Sequence, residues 1–238
     1  MEFKEALNKG LEILDIALRP EAEALFCAYY GILKKAGETV NVTGLKEPVD
    51  IAIKHFVDAV AVMRWVDFSG GKRLIDVGSG GGFPGIPLGV ANPGLAVVLL
   101  EAVRKKADFM QEAVKALQLR NCTVVWGRAE EFGRKEGYRE RFELVTARAV
   151  APLRELAEYT LPFACTGGSV LAYKGPKAKE EVKSSGKAIK ELGGEIEEQI
   201  EYTLPLTGEK RHLIIVKKKA DTPEGYPRRA GVPHKKPL

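Results

Sequence analysis

Arg73-Leu74-Ile75-Asp76-Val77-Gly78-Ser79-Gly80-Gly81-Gly82-Phe83-Pro84-Gly85 carries a short apolar run into an acid and then into glycine. An apolar run of this length, closed by a turn signal, has the form of a buried strand. Glycine at 78, 80, 81, 82 and 85 lets the backbone turn sharply, take positive φ and bring its N–H groups close to a ligand. Pro84 to Val90 then opens a helix, since proline in a first turn loses only an N–H that has no helical partner. A strand handed to a helix through such a turn reads as a nucleotide-cofactor site.

Gly80, Gly82 and Gly85 also satisfy the dinucleotide pattern G-x-G-x-x-G, which alone is weak evidence. Three features favour S-adenosylmethionine over NAD. Asp76, two residues before Gly78, completes D-x-G-x-G-x-G, which resembles the first motif of class I methyltransferases. The next apolar run, Leu95 to Leu100, ends in Glu101, the place for an acid that hydrogen-bonds ribose hydroxyls in either cofactor class. Finally, Gly194–Tyr202 and Lys210–Lys217 are strand-like runs joined by the turn Pro205 to Glu209, the pattern of a hairpin. Class I methyltransferases insert such an antiparallel last strand into an otherwise parallel sheet, whereas dinucleotide dehydrogenases keep theirs parallel.

The alternation of strand-like and helix-like segments from Gly70 onward predicts a helix-covered, mostly parallel sheet with right-handed crossovers. Strands are expected near 73–77, 95–100, 122–126, 142–147, 168–174, 195–203 and 211–218. The fold class is therefore α/β, Rossmann-like, with seven strands and an N-terminal helical extension. Residues 1–68 form that helical region, with one helix from Phe3 to Leu18, a second opened by Pro20 with Gly37 as its stop, and a third from Pro48 to about Val66. Residues 69–219 form the methyltransferase domain. Residues 220–238, with four prolines and little apolar content, form a tail without an ordered core element.

At 238 residues and 45% hydrophobic, the chain can bury a sizeable core. No segment approaches the roughly 20 apolar residues of a membrane span, and Met1 to Glu5 lacks the layout of a signal peptide, so a cytoplasmic protein is expected. Cys27, Cys122 and Cys165 each lie in an apolar run and read as reduced core thiols, and His55, His212 and His234 are too scattered for a metal site. The net charge of +5 resides in residues 217–238, which hold seven basic and two acidic side chains. Such a tail reads as an electrostatic grip on a phosphate-rich polymer.

The third strand runs out through Gly127-Arg128-Ala129-Glu130, which places the Ala129 N–H and Glu130 toward the adenine end of a cofactor. The fourth strand ends in Thr146-Ala147-Arg148-Ala149-Val150-Ala151, beside the position of the transferring methyl. It carries neither the Asn-Pro-Pro-aromatic run of adenine amino methylases nor the Pro-Cys of pyrimidine carbon methylases. What remains includes methylation of a ring nitrogen that already presents a lone pair, such as guanine N7, where positioning supplies the catalysis and no general base is needed. Two other classes stay open on the residues alone: a small-molecule or protein methyltransferase, which would leave the basic tail idle, and a non-catalytic RNA-binding protein, which would need a damaged cofactor site.

Asn41-Val42-Thr43, Lys54-His55-Phe56-Val57-Asp58, the glycine-rich stretch itself, Thr146 to Ala151, Lys174-Gly175 and Arg211-His212-Leu213 fall in an order that resembles the glucose-inhibited division protein B (RsmG) family. These are the bacterial small-subunit ribosomal RNA guanine-N7 methyltransferases, and the resemblance spans residues 41–238. It implies methylation of one guanine in the 530 loop of 16S rRNA, as free RNA or in the small ribosomal subunit, with S-adenosylmethionine as donor. It assigns cofactor contacts to Gly78, Phe83, Ala129, Glu130 and Arg148, with Gly80 in the same turn and Glu101 by strand position. Asn41, Lys54, His55, Asp58 and Lys174 match motif positions near the substrate side, and Arg228 and Arg229 match the tail of some members. Arg148, Lys174 and His55 are the candidates to align donor and acceptor, although His55 on an amphipathic helix also reads as a core histidine. The protein is read as a monomer.

Overall fold

The computed structural model describes residues 1–36 and 44–238. Asn41 and the helix stop expected at Gly37 lie outside the described residues.

Seven strands form one sheet: β1 Arg73–Val77, β2 Ala96–Glu101, β3 Cys122–Trp126, β4 Phe142–Arg148, β5 Ala164–Lys174, β6 Gly194–Thr203 and β7 Lys210–Lys218. Their order is β3-β2-β1-β4-β5-β7-β6. The first five strands pair in parallel, and β7 lies antiparallel between β5 and β6. The hairpin and the inserted last strand are therefore as the sequence predicts. The order reverses between β1 and β4, which makes the carboxyl ends of these strands the natural crevice of the sheet.

Alternation along each strand divides the core into two layers. Leu74, Leu144, Leu171 and Leu213 face one apolar cluster, while Ile75, Val145, Val170 and Ile214 face the other. The first cluster takes in α1 (Phe3–Ile13), α2 (Pro20–Ala36), α5 (Gly85–Ala91) and α6 (Arg104–Ala116). The second is covered by α8 (Leu153–Thr160) and α9 (Ala178–Glu191). Phe26 and Phe56, both fully buried, pack edge to face at 5.3 Å, so the N-terminal helices share the core of the sheet.

The third helix departs from the expected regular run. It consists of α3 (Pro48–Ile51), a π-helical turn (Ala52–Val57), α4 (Asp58–Ala61) and a 3₁₀ turn (Val62–Arg64). The backbone N–H groups that close the π turn bond to the carbonyls of Ile53 and His55, passing over Lys54. Such insertions recur at functional sites because they release a backbone group to a new partner.

Beyond Ala220 the tail is docked, contrary to the expectation of a segment with no ordered element. A short helix α10 (Val232–Lys235) forms, and Thr222, Pro227 and Pro233 are buried. Arg134 donates to the carbonyls of Pro227 and Gly225, each at 2.7 Å, and Arg139 to those of Tyr226 at 2.7 Å and Thr222 at 2.5 Å. The anchors are polar groups of the domain binding tail backbone, which an apolar count along the tail does not register.

Gly10 brings α1 against the π turn: a Cβ there would lie 2.6 Å from Ile53 Cδ1 and 2.9 Å from Val57 Cγ2. Overpacking such a contact costs about 1–3 kcal/mol. Gly10→Val is therefore expected to lower the Tm by roughly 2–12 °C in a thermal melt followed by circular dichroism; an unchanged Tm would show that α1 can move off the turn freely.

Candidate cofactor and substrate site

The glycine turn is held from beneath by Asp76, which has no exposure to solvent. One carboxylate oxygen accepts the Thr146 hydroxyl at 3.0 Å, the other the Gly85 N–H at 3.0 Å, and the Asp76 carbonyl accepts the Ser79 hydroxyl at 2.9 Å. The clamp thus joins β1, β4 and the start of α5. Burial pushes the Asp76 carboxyl up to about 6, against the lowering effect of its hydrogen bonds. Gly85 has to be glycine here, because a Cβ would sit 2.3 Å from Leu99 Cδ2 and 2.9 Å from the Asp76 carboxylate. Gly78 and Gly80 take φ of +72° and +59°, where a side chain is strained. A Cβ on Gly78 would also meet Val150 at 2.7 Å.

The turn opens on a cavity of about 1260 Å³, at the strand ends where the sheet order reverses. At the tip of β2 the Glu101 carboxylate accepts the Gly80 N–H and the Val103 N–H, each at 2.8 Å. At the end of β3, Ala129 and Glu130 begin α7 (Ala129–Phe132) and line the same cavity. Glu130 is buried, and one of its oxygens accepts the Gly231 N–H from the tail at 2.9 Å.

Opposite them stands a network built on Arg148, at the end of β4. Its Nη1 donates to the Lys54 carbonyl at 2.9 Å and to Asp58 Oδ2 at 3.1 Å. The first of these is the carbonyl that the π turn passes over. Its Nη2 lies 3.1 Å from His55 Nδ1. Arginine only donates, so His55 accepts at Nδ1 and carries its proton on Nε2. Burial first, and then the Arg148 charge, push His55 down to about 3, and its ring stacks on Phe83 with centroids 4.7 Å apart. The guanidinium also lies over the Phe83 ring at 5.3 Å. His55 is thus a neutral acceptor that orients Arg148.

Asp58 is 3% exposed in its side chain. Its other oxygen accepts the Tyr202 hydroxyl at 2.7 Å, and Arg211 Nε lies 3.9 Å from Oδ2. Lys54 sits between Asp50 at 2.9 Å and Glu209 at 2.7 Å, and hydrogen bonds to Glu209 and then Asp50 raise its ammonium above the ordinary value. Lys174, at the end of β5, donates to the Ala151 carbonyl at 2.6 Å and pairs with Glu181 at 2.8 Å.

Eleven sequence-predicted residues therefore line one cavity: Lys54, His55, Asp58, Gly78, Gly80, Phe83, Glu101, Ala129, Glu130, Arg148 and Lys174. Arg228 and Arg229 do not line it. Arg228 is turned to the buried Glu158, with Nε at 2.9 Å and Nη2 at 2.6 Å from its oxygens and the backbone N–H at 2.7 Å. An isolated carboxylate at that depth would be costly, and Arg228 meets it with an internal ion pair. Arg229 is exposed. Glu209, Arg211, Tyr173 and Tyr202 join the cavity or its support without having been expected. Only Arg211 carried a signal, as part of the Arg211-His212-Leu213 motif.

A family model described as GidB, rRNA small subunit methyltransferase G, matches residues 22–221. The ribosomal RNA small subunit methyltransferase G of Pelotomaculum thermopropionicum is 43% identical over 98% of both chains. That of Desulfitobacterium hafniense is 44% identical over 100% of this chain and 98% of its own. Among solved structures, a SAM dependent methyltransferase from Aquifex aeolicus superposes with a TM-score of 0.54 at 18% identity, covering 74% of this chain and 95% of its own. At that identity the likeness shows the fold.

In the folded state Asp76 releases its proton near pH 6, against 3.8 ordinarily. Between those values the native protein holds a proton that the unfolded chain has lost, so the contribution of Asp76 to stability falls as pH rises and is least above about pH 6. Asn at this position can accept from Gly85 and donate to Thr146 without titrating. Urea unfolding at pH 4 and pH 7 should therefore show stability moving by about 2.4 kcal/mol in favour of Asp76→Asn relative to the parent over that interval; a constant difference would show that the Asp76 carboxyl is not raised by burial in the folded state.

Proposed function

The chain belongs to the rRNA small subunit methyltransferase G family, and on that premise we propose that it transfers a methyl group from S-adenosylmethionine to N7 of a guanine in the 530 loop of 16S rRNA. The methyl donor and the small-subunit rRNA substrate come with the family and the class I fold. The observation that carries the finer reading is the Arg148 network: it offers fixed positive charge and shape at the end of β4, with its histidine neutral and already accepting from Arg148.

The residues present fit the donor. The left-handed glycines at 78 and 80 clear the space that Cβ atoms would fill, and the acid at the tip of β2 faces the cavity. Gly78 and Gly80 would hold the amino-acid part, Glu101 the ribose hydroxyls, and Ala129 and Glu130 the adenine. When bound, the donor supplies an electrophilic methyl on a positively charged sulfur. The chain's own residues orient and exclude water. Phe83, packed on His55 and lying under Arg148, forms a rigid floor. Arg148 and Lys174 present cations to the acceptor side, held by Asp58 and Glu181 respectively.

Guanine N7 presents its lone pair without a proton, so orientation of acceptor against donor can supply the rate enhancement. His55, neutral and already accepting from Arg148, acts in positioning and not as a base. Lys54, braced by Asp50 and Glu209, sits at the rim where RNA phosphate would arrive.

The direct test supplies methyl-labelled donor and small-subunit particles lacking the mark, then maps the labelled nucleotide; label on any atom other than a guanine N7 would refute the finer reading. Arg148→Lys keeps a cation beside Asp58 but cannot span the Lys54 carbonyl, Asp58 and His55 together. Loss of one or two hydrogen bonds to a charged group predicts a fall in kcat/KM of about ten- to a hundred-fold with the fold intact. Parental kinetics would remove Arg148 from the alignment of the reactants.

A further inference from the structure

The tail reaches the cavity. Gly231 and His234 line it beside Glu130 and Glu155, on the side away from Lys54 and Glu209. Three features fix this stretch. Arg228 grips the buried Glu158 through its backbone N–H and its guanidinium. Gly231, at φ +80°, points its N–H at the buried Glu130 carboxylate, 2.9 Å away. His234 Nδ1 lies 3.2 Å from the Glu155 carboxylate, which also accepts the Tyr159 hydroxyl at 2.8 Å.

The contacts tie the tail to two helices that border the cavity: Glu130 lies in the first turn of α7, and Glu155 and Glu158 lie on α8. A solubilising appendage has no need of two buried carboxylates. Nor does an RNA-gripping arm, whose arginine would be left in water for phosphate. We propose that the tail forms part of the wall of the cofactor cavity through Gly231 and His234, clamped by Arg228 on Glu158 and by the Gly231 N–H on Glu130, so that the segment takes part in retaining S-adenosyl nucleosides. This rests on the reading of the cavity as an S-adenosylmethionine site. It reverses the division of labour that charge alone suggests, in which the tail serves RNA and leaves the cofactor to the domain.

The physical route is direct. Glu130 would meet the adenine, and it is held in place by an amide that the tail supplies. With the clamp released, that carboxylate loses a donor and the cavity opens to water along α8. Because a ligand that favours the docked tail must itself be favoured by docking, binding and tail closure reinforce one another.

Calorimetry with S-adenosylhomocysteine on the full chain and on Arg228→Ala, with circular dichroism as the check on folding, is the first arm. A rise in Kd of about tenfold or more in the variant is expected. The second arm uses the unaltered chain: trypsin cleavage after the exposed Arg229 should slow by at least about tenfold at saturating S-adenosylhomocysteine. It decides the matter even if Arg228→Ala does not fold. An unchanged Kd in a folded variant overturns the proposal, as does cleavage indifferent to the ligand. If the full chain itself binds no S-adenosylhomocysteine, the cofactor reading fails and the proposal falls with it.

Discussion

One buried carboxylate organises the centre of this protein. Asp76 receives one hydrogen bond from β4 through Thr146 and one from the start of α5 through Gly85, and it stands at the end of β1. A carboxylate removed from water must be met by donors. Here the donors come from the next strand and from the helix that follows the turn, so satisfying one group fixes three elements relative to each other. The shape of the glycine turn follows, and with it the mouth of the cavity. The same burial raises the group's proton affinity, so a structural clamp leaves a titration signature.

The cavity is then closed by segments far from it in the chain. On one side the π turn and the start of α4 present the Lys54 carbonyl, His55 and Asp58 to Arg148, 90 or more residues away, while the β6–β7 hairpin brings Tyr202 and Glu209 to Asp58 and Lys54. On the other side the tail brings Gly231 and Arg228 to Glu130 and Glu158. Buried ion pairs of this kind add little net stability, but removing one partner leaves a stranded charge costing about 3–5 kcal/mol. That penalty enforces geometry. Arg148 has few alternative poses that still satisfy Asp58.

Charge counted by segment says less than charge located in space. Residues 217–238 hold the whole formal excess of the chain, yet Lys218, at the end of β7, is buried against Glu140 and Arg228 in the tail is paired with Glu158. Arg229, Lys235 and Lys236 remain exposed. The lysines and arginines that line the cavity instead come from the electrically balanced part of the chain: Lys54, Lys106, Arg128, Arg148, Lys174 and Arg211.

The strand pattern, the acid-then-glycine turn, the acid closing β2 and the antiparallel hairpin were legible in sequence because each rests on local rules. Alternation reports a sheet face, glycine reports positive φ, and a Pro-Gly turn between two strand-like runs reports a hairpin. Gly78, Gly80, Glu101, Ala129, Glu130 and Arg148 were legible for the same reason, lying in the turn or at strand ends, whereas Lys54, His55, Asp58, Phe83 and Lys174 were marked only by the family resemblance. Three things were not. The π turn adds a residue to a helix without any sequence marker, so the free carbonyl of Lys54 appears only in three dimensions. Tyr202 and Glu209 enter the site across the hairpin, by pairing register and not by proximity in the chain. The tail docks through arginines donating to its backbone carbonyls, and every residue carries a carbonyl, so composition cannot distinguish a docked tail from a loose one. Sequence determined the elements and their chemistry; the long-range satisfaction of buried polar groups decided which of those chemistries meet.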